Sequence, residues 1–443
     1  MTDSPPARTL RFPEQPMAWA AAAFAVYAVA ASGMWLQQSL APHYIHLADA
    51  LNHGQLHLLY TENLYDLLLA GERAYVAGSP LPAVLLMPLV ALLSNRFSDI
   101  LFSIIIGAIN VGLVQAIFRR PWLTILFALA TPHLYMAALG SVWLTAHLVA
   151  LLFALPALYF GWRRERWFLA GLLLGLAGLA RPSLWFGSAF FGAYIWLQHR
   201  QRGRGERFPW RPLLAFSLPV AAGVAIHLAY NAARFGSPLD FGYGYTAGAP
   251  NVVATYNRYG GFNPRFLSCN LSIAFLNPPI VAGYVPPFLY RACSYLLDGV
   301  VLGEGVTGVA PNPLGMSLLL ATPAFLLLLG ARGRRPAIIA GWAGMLAVMV
   351  PLWSYHNTGS AQFGYRYWMD AAPFWLLLLA LSYPPAAGRS RLDGWLERLR
   401  WPLLLLSLAI SVWGFLWIYR LFVGHSWFWE TYRYWLILNG APQ

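Results

Sequence analysis

No lysine occurs among the 443 residues, so all 29 basic residues are arginine. Charge of any kind is scarce: 10% of residues carry it, against about a quarter in a soluble globule, and this excludes an ordinary water-soluble fold. Zinc-finger spacing, a phosphate-cradling glycine loop and a long basic run are all missing. The net charge of +13 therefore points to the short cytoplasmic loops of a membrane protein and to no nucleic acid. Cysteine is reduced to Cys269 and Cys293 in one polar-aromatic segment, either bridged or two buried thiols.

What the chain has in abundance is hydrocarbon, with 59% of residues apolar. The expected fold is an all-α polytopic membrane protein, a single integral-membrane domain over 1–443. Eleven stretches are long and apolar enough to cross: about 17–37, 99–118, 121–139, 143–160, 167–181, 183–198, 212–232, 313–331, 336–354, 369–385 and 401–422. No clear cleavage signature follows Arg8 and Arg11, so the first run is read as a retained helix. Arginine clusters fall at Arg119–Arg120, Arg163–Arg166, Arg200–Arg211, Arg332–Arg335 and Arg389–Arg400. With a cytoplasmic N-terminus and eleven crossings, all of them share the cytoplasm with Arg8 and Arg11, which places 19 of the 29 arginines inside. Residues 79–95 (SPLPAVLLMPLVALLSN) would reverse that parity for every later loop. They are read as a proline-broken re-entrant or juxtamembrane segment.

The outer face then receives a first loop, 38–98, with juxtamembrane helices, a short turn near Gly140–Ser141, a second large loop, 233–312, a third, 355–368, and the C-terminal tail. Loops this long in a compact protein are usually functional, and nothing on the inner side is comparable. A cytoplasmic nucleotide-using site has almost nowhere to sit.

The first loop gathers His43, His46, Asp49, His53, His57, Glu62, Asp66 and Glu72. Asp49, in YIHLADALNHG, falls near the middle of a short interfacial helix. A carboxylate at a low-dielectric boundary can be tuned as a general base for a hydroxyl, though the same placement suits a solvated acid. Asp66, in NLYDLLLAGERAYV, carries the same two readings. The histidines are numerous enough to raise divalent metal, but no H-x-x-x-H pair comes with a fixed acid, so metal is not favoured and no cofactor is expected. Arg181, Arg234 and Arg366 lie where spans meet the outer surface, and the guanidinium fork suits a lipid-linked phosphate. The bland reading there is snorkelling or an ion pair, such as Arg366 with Asp370 on one helix face. YHNTGSAQFGYRYWMDAAPF collects Tyr355, His356, Asn357, Gln362, Tyr365 and Tyr367. With His43 and His46 these mix aromatic faces and planar polar groups, as sugar binding does; interfacial belt aromatics give a similar composition.

The order of parts resembles the integral-membrane glycosyltransferases of the GT-C superfamily, which includes protein O-mannosyltransferases and aminoarabinose transferases. The similar parts are a first helix, the acidic outer loop, SPLPAVLLMPLVALL, LARPS at Leu179–Ser183, NAARFGSPLDFGY, PNPLGMSLLLATPAFLL and FGYRYWMDAAPFWLLLLA, which together span nearly the whole chain. The resemblance implies a multi-pass enzyme of the bacterial inner membrane that moves a sugar from a polyprenyl-phosphate donor to a hydroxyl of a glycan, lipid or protein on the outer face, inverting the anomeric centre. It implies Asp49 as the base with Asp66 in reserve, and Arg366, Arg234 and Arg181 on the donor phosphate. Two features depart from the pattern. Gln37–Pro42 carries no acid close behind the first helix, and the Gly140–His147 turn lacks the acid that metal-dependent members use. Rival readings are a lipid-linked saccharide carrier or flippase, and a polymerase or ligase of the O-antigen type.

Overall fold

The computed structural model describes residues 15–60, 63–203, 208–297, 300–382 and 390–423. Arg8, Arg11, Arg389, Glu62 and the C-terminal tail lie outside the described residues. The chain begins with ten helices: α1 Pro16–Ala30, α2 His43–Asn52, α3 Leu81–Leu93, α4 Asp99–Phe118, α5 Pro121–Leu129, α6 His133–Leu139, α7 Val142–Arg164, α8 Trp167–Ala180, α9 Ser188–Gln201 and α10 Trp210–Phe235. Helices Pro336–Trp353, Ala372–Leu381 and Arg391–Val423 complete the bundle. Local chemistry sets many of the ends. Ser98 caps α4 by accepting the Leu101 N–H, and proline opens α1, α3 and α5, where a missing N–H costs nothing.

Five helices among the described residues are long and apolar enough to cross a bilayer: α4, α7, α10, Pro336–Trp353 and Arg391–Tyr419. A sixth arises if α5 and α6, bent by 55° across a short break, form one span. The chain is thus a multi-pass membrane protein, but the expected count of eleven regular spans is not reached. Stretch 313–331 is one of the differences: only Leu318–Ala321 is α-helical, and Pro323–Gly330 continues as a 3₁₀ segment. Pro323 has no N–H for an α-helical bond. The Thr322 hydroxyl donates to the Ala130 carbonyl and the Ala324 N–H to the Ser407 hydroxyl. Segment 79–95 forms α3, whose 13 residues rise about 20 Å, too short to cross alone; it packs on α2.

Helices α8 and α10 touch at backbone distance. A Cβ on Gly171 would stand 2.0 Å from the Phe216 carbonyl oxygen, and one on Gly223 2.9 Å from that of Gly175. Small residues spaced four apart permit this approach. The ends of α4, α7, α10 and Pro336–Trp353 at Arg119–Arg120, Arg163–Arg166, Arg211 and Arg335 are opposite the ends that meet 38–98, 233–312 and 355–368. These three loops join one another. Strand β1 (Leu67–Ala70) pairs antiparallel with β2 (Arg73–Val76) and with β3 (Thr246–Ala247), while His356 N–H donates to Gly261. Cys269 and Cys293 are bridged, closing the second loop on itself.

Candidate active site

Asp66 stands immediately before β1, with its backbone in the left-handed region (φ 59°), and its N–H donates to the Ala247 carbonyl at 2.7 Å. The pairing of β1 with both β2 and β3 holds that unusual backbone. Its carboxylate accepts one side-chain bond, 2.7 Å from the indole N–H of Trp143 in the first turn of α7. The residue is half-buried, and this burial pushes the carboxyl up to about 6, against the opposing pull of the Trp143 bond and the Arg366 charge. An acid with that value is ionised at neutral pH yet basic enough to take a proton.

Arg181 follows α8 and opens the 3₁₀ turn Pro182–Gly187; Asp370 lies in a second 3₁₀ turn, Arg366–Ala371. The two carboxylate oxygens of Asp370 receive Arg181 Nε (3.1 and 3.3 Å), Arg181 Nη2 (2.8 Å), Ser183 Oγ (2.6 Å) and His147 Nδ1 (2.5 Å). The alternative pairing of Arg366 with Asp370 does not form, because Arg181 takes that carboxylate. The physical reason is the 3₁₀ turn: with about three residues per turn, positions four apart no longer share a face.

Arg366 is nearly buried (7% exposed), and its Nε has no hydrogen-bond partner among the described residues. Its guanidinium lies 5.6 Å from the Tyr367 ring centroid and acts electrostatically on Asp66. Arg181 and Arg366 both lie close to this ring, 5.5 and 5.6 Å from the Tyr367 centroid. Arg234 is held differently. It donates to the Val76 carbonyl (3.0 Å) and Asn231 (2.8 Å), and its guanidinium lies over Tyr230 and Phe235. It thereby ties β2, and with it the Asp66 hairpin, to the end of α10. Among the described residues no carboxylate bonds to Arg234 or Arg366. Tyr44 of α2 lies in the field of both Arg181 and Arg234.

Asp49 is elsewhere on α2. It accepts from Asn95 (3.3 Å) and stands 3.6 Å from His53, and among the described residues none of the three arginines bonds it. Of the expected sugar-binding residues, several are committed to structure. His43 bonds the Tyr65 carbonyl and burial lowers it to about 4; Gln362 bonds Leu314, Thr358 and the Arg366 N–H; the Tyr365 hydroxyl meets Asn270; Asn357 closes a turn onto Gly359. His46 sits edge-on to Tyr60. Tyr355, His356 and Tyr367 join Tyr243 and Tyr256 in a chain of rings beside Arg181, and His356, lowered by burial to about 4, brings no charge at neutral pH. Sequence reasoning missed Trp143, His147, Ser183, Tyr44 and Tyr243. Only Ser183 had a local signal, its place beside Arg181 in LARPS. No group of three His, Cys, Asp or Glu among the described residues is placed to hold a metal ion.

No protein-family model and no curated protein matches the chain. Solved structures similar to it include the Archaeoglobus fulgidus oligosaccharyltransferase in the apo form, with 13% identity over 96% of this chain and a TM-score of 0.44. ArnT from Cupriavidus metallidurans bound to undecaprenyl phosphate matches with 13% identity over 90% of this chain and 75% of its own, also at a TM-score of 0.44. The archaeal oligosaccharyltransferase AglB from Archaeoglobus fulgidus, in complex with an inhibitory peptide and a dolichol-phosphate, matches at 11% identity and a TM-score of 0.39. The chain spans 60% of the length of either oligosaccharyltransferase chain.

Proposed function

We propose that the protein is a membrane glycosyltransferase that moves a sugar from a polyprenyl-phosphate donor to an acceptor hydroxyl, with Asp66 as the general base. The observation that carries this reading is the Asp66 carboxylate itself. It is half-buried, held by one indole N–H, raised to about 6, and faces Arg366, whose charge no carboxylate bonds among the described residues. A base near the working pH beside a cluster of guanidinium groups suits a reaction that removes a proton on one side and releases a phosphate on the other.

In this mechanism the acceptor hydroxyl gives its proton to Asp66 and its oxygen attacks the anomeric carbon. The bond from that carbon to the phosphate oxygen breaks, and polyprenyl phosphate leaves with the electron pair. Arg366 and Arg181, both close to the Tyr367 ring, meet the charge that develops on the leaving phosphate. A single displacement inverts the anomeric centre. Arg234 holds the hairpin that carries the base, and Asp49 takes no part in the chemistry. The arginine-poor end of the bundle faces the periplasm, where the lipid-linked donor and a glycan, lipid or protein acceptor of the cell envelope meet. The test is release of polyprenyl phosphate from labelled polyprenyl-phosphate sugars by the purified protein. Wild-type release that disappears in Asp66→Asn supports the reading; no release from a broad donor panel removes it.

A further inference from the structure

Beneath Arg181 lies a buried set of side chains that the transfer reaction does not itself use. Asp370 is 1% exposed, and both its oxygens are filled by donors from three separate places: His147 in α7, Arg181 after α8 and Ser183 in the turn that follows. Arg181 is 22% exposed. One edge of its guanidinium, Nε with Nη2, is therefore spent on Asp370, while Nη1 is left for the open side, where Tyr44, Tyr243 and Tyr367 feel its charge. His147 meets Asp370 through Nδ1, and among the described residues its buried Nε2 has no hydrogen-bond partner, so Asp370 is the one group its nitrogens bond there.

We propose that Asp370 is a positioning residue, with Ser183 and His147 behind it, that fixes Arg181 in the orientation in which its free edge meets the donor's phosphate. This rests on the reading of Arg181 as a phosphate ligand. An arginine side chain has four rotatable bonds and loses conformational freedom when ordered. A carboxylate that grips one edge of the fork before the ligand arrives removes that cost from binding. Ser183 adds to this by filling the lone pair of Asp370 that would otherwise draw the carboxylate away from Arg181. The competing account is that the cluster merely clamps α7 to α8 and holds the fold.

The two accounts part in a double-mutant cycle on the full-length protein, with undecaprenyl phosphate as the probe and undecaprenol as the uncharged control. Ser183→Ala removes one hydrogen bond and no charge, and is expected to weaken undecaprenyl phosphate binding about fivefold. In an Arg181→Gln background the same substitution is expected to change nothing. Asp370→Asn is expected to cost more than Ser183→Ala and likewise to lose its effect once Arg181 is gone. Undecaprenol binding is expected to stay constant throughout. An effect of Ser183→Ala that persists in Arg181→Gln, or a fall in melting temperature with lipid affinity unchanged, overturns the proposal. If wild type binds undecaprenyl phosphate but releases none from any donor, the transferase reading fails while the positioning role stands. If wild type does not bind undecaprenyl phosphate, both fail.

Discussion

Replacing Asp66 by asparagine is expected to abolish transfer and, at neutral pH, to stabilise the protein. The substitution is nearly isosteric. Asparagine tolerates the left-handed backbone at this position (φ 59°), and its oxygen still accepts from Trp143. What changes is charge and basicity. Losing a general base costs about 10²–10⁴ in rate. The stability effect follows from the raised acidity constant. A carboxyl that titrates at about 6 in the folded protein and at 3.8 in the open chain binds more protons folded than unfolded between those values. Its ionisation therefore works against folding above about pH 6, by at most about 3 kcal/mol, and by less because the group still touches solvent. Below about pH 4 both states are protonated and the penalty is gone. Relative to wild type, Asp66→Asn is thus expected to melt higher at about pH 8, with the difference shrinking as pH falls through 6 and vanishing near pH 4. Donor turnover by wild type is expected to rise with pH through about 6 and then level off, as the base ionises. Residual transfer by Asp66→Asn within a few-fold of wild type, or a melting difference independent of pH, would refute the assignment.

Arg366→Lys is expected to raise KM for the polyprenyl-phosphate donor by about tenfold or more in steady-state assays, because a point charge replaces a fork that can hold two phosphate oxygens. Asp49→Asn is expected to leave kcat within about twofold, since its partners are Asn95 and His53; collapse of turnover in this variant with Asp66→Asn still active would exchange the two roles. Opening the cystine by Cys269→Ser with Cys293→Ser is expected to lower stability by about 3 kcal/mol, for a pairing 24 residues apart, and to be read as earlier proteolysis within 233–312.

Much of the bundle was legible because hydrocarbon runs and arginine clusters are independent signals that agree. The stretches 99–118, 143–160, 212–232, 336–354 and 401–422 each became a helix long enough to cross. Where the reading missed, proline and glycine had altered local geometry in ways that hydropathy does not register. Pro323 turns the second half of 313–331 into a 3₁₀ segment, Pro323–Gly330, with all its apolar residues in place. Gly171, Gly175 and Gly223 read as ordinary small residues, although the contact of α8 with α10 depends on them. The site was legible in its parts list more than in its pairings. Asp66 and Asp49 look alike along the chain, and what separates them is the hairpin that turns Asp66 over Trp143, a residue 77 positions away. The bond between Asp370 and Arg181 spans 189 positions, beyond any local pattern.

The absence of lysine takes on a meaning at this end of the bundle. Arg181, Arg234 and Arg366 lie at depths where burial works against any charge. A lysine there would shed its proton as readily as it would find a partner, whereas a guanidinium stays charged and spreads five donors in a plane. The three arginines use that plane in three ways. Arg181 gives one edge to Asp370, Arg234 gives its donors to a carbonyl and an amide and its faces to two rings, and Arg366 keeps Nε without a partner beside Asp66. Of these three, only Arg181 has its charge matched by a bonded carboxylate among the described residues. The excess of positive charge is tolerable if an anion completes the site, and a phosphate on a lipid tail is the anion that reaches this depth without first leaving the membrane.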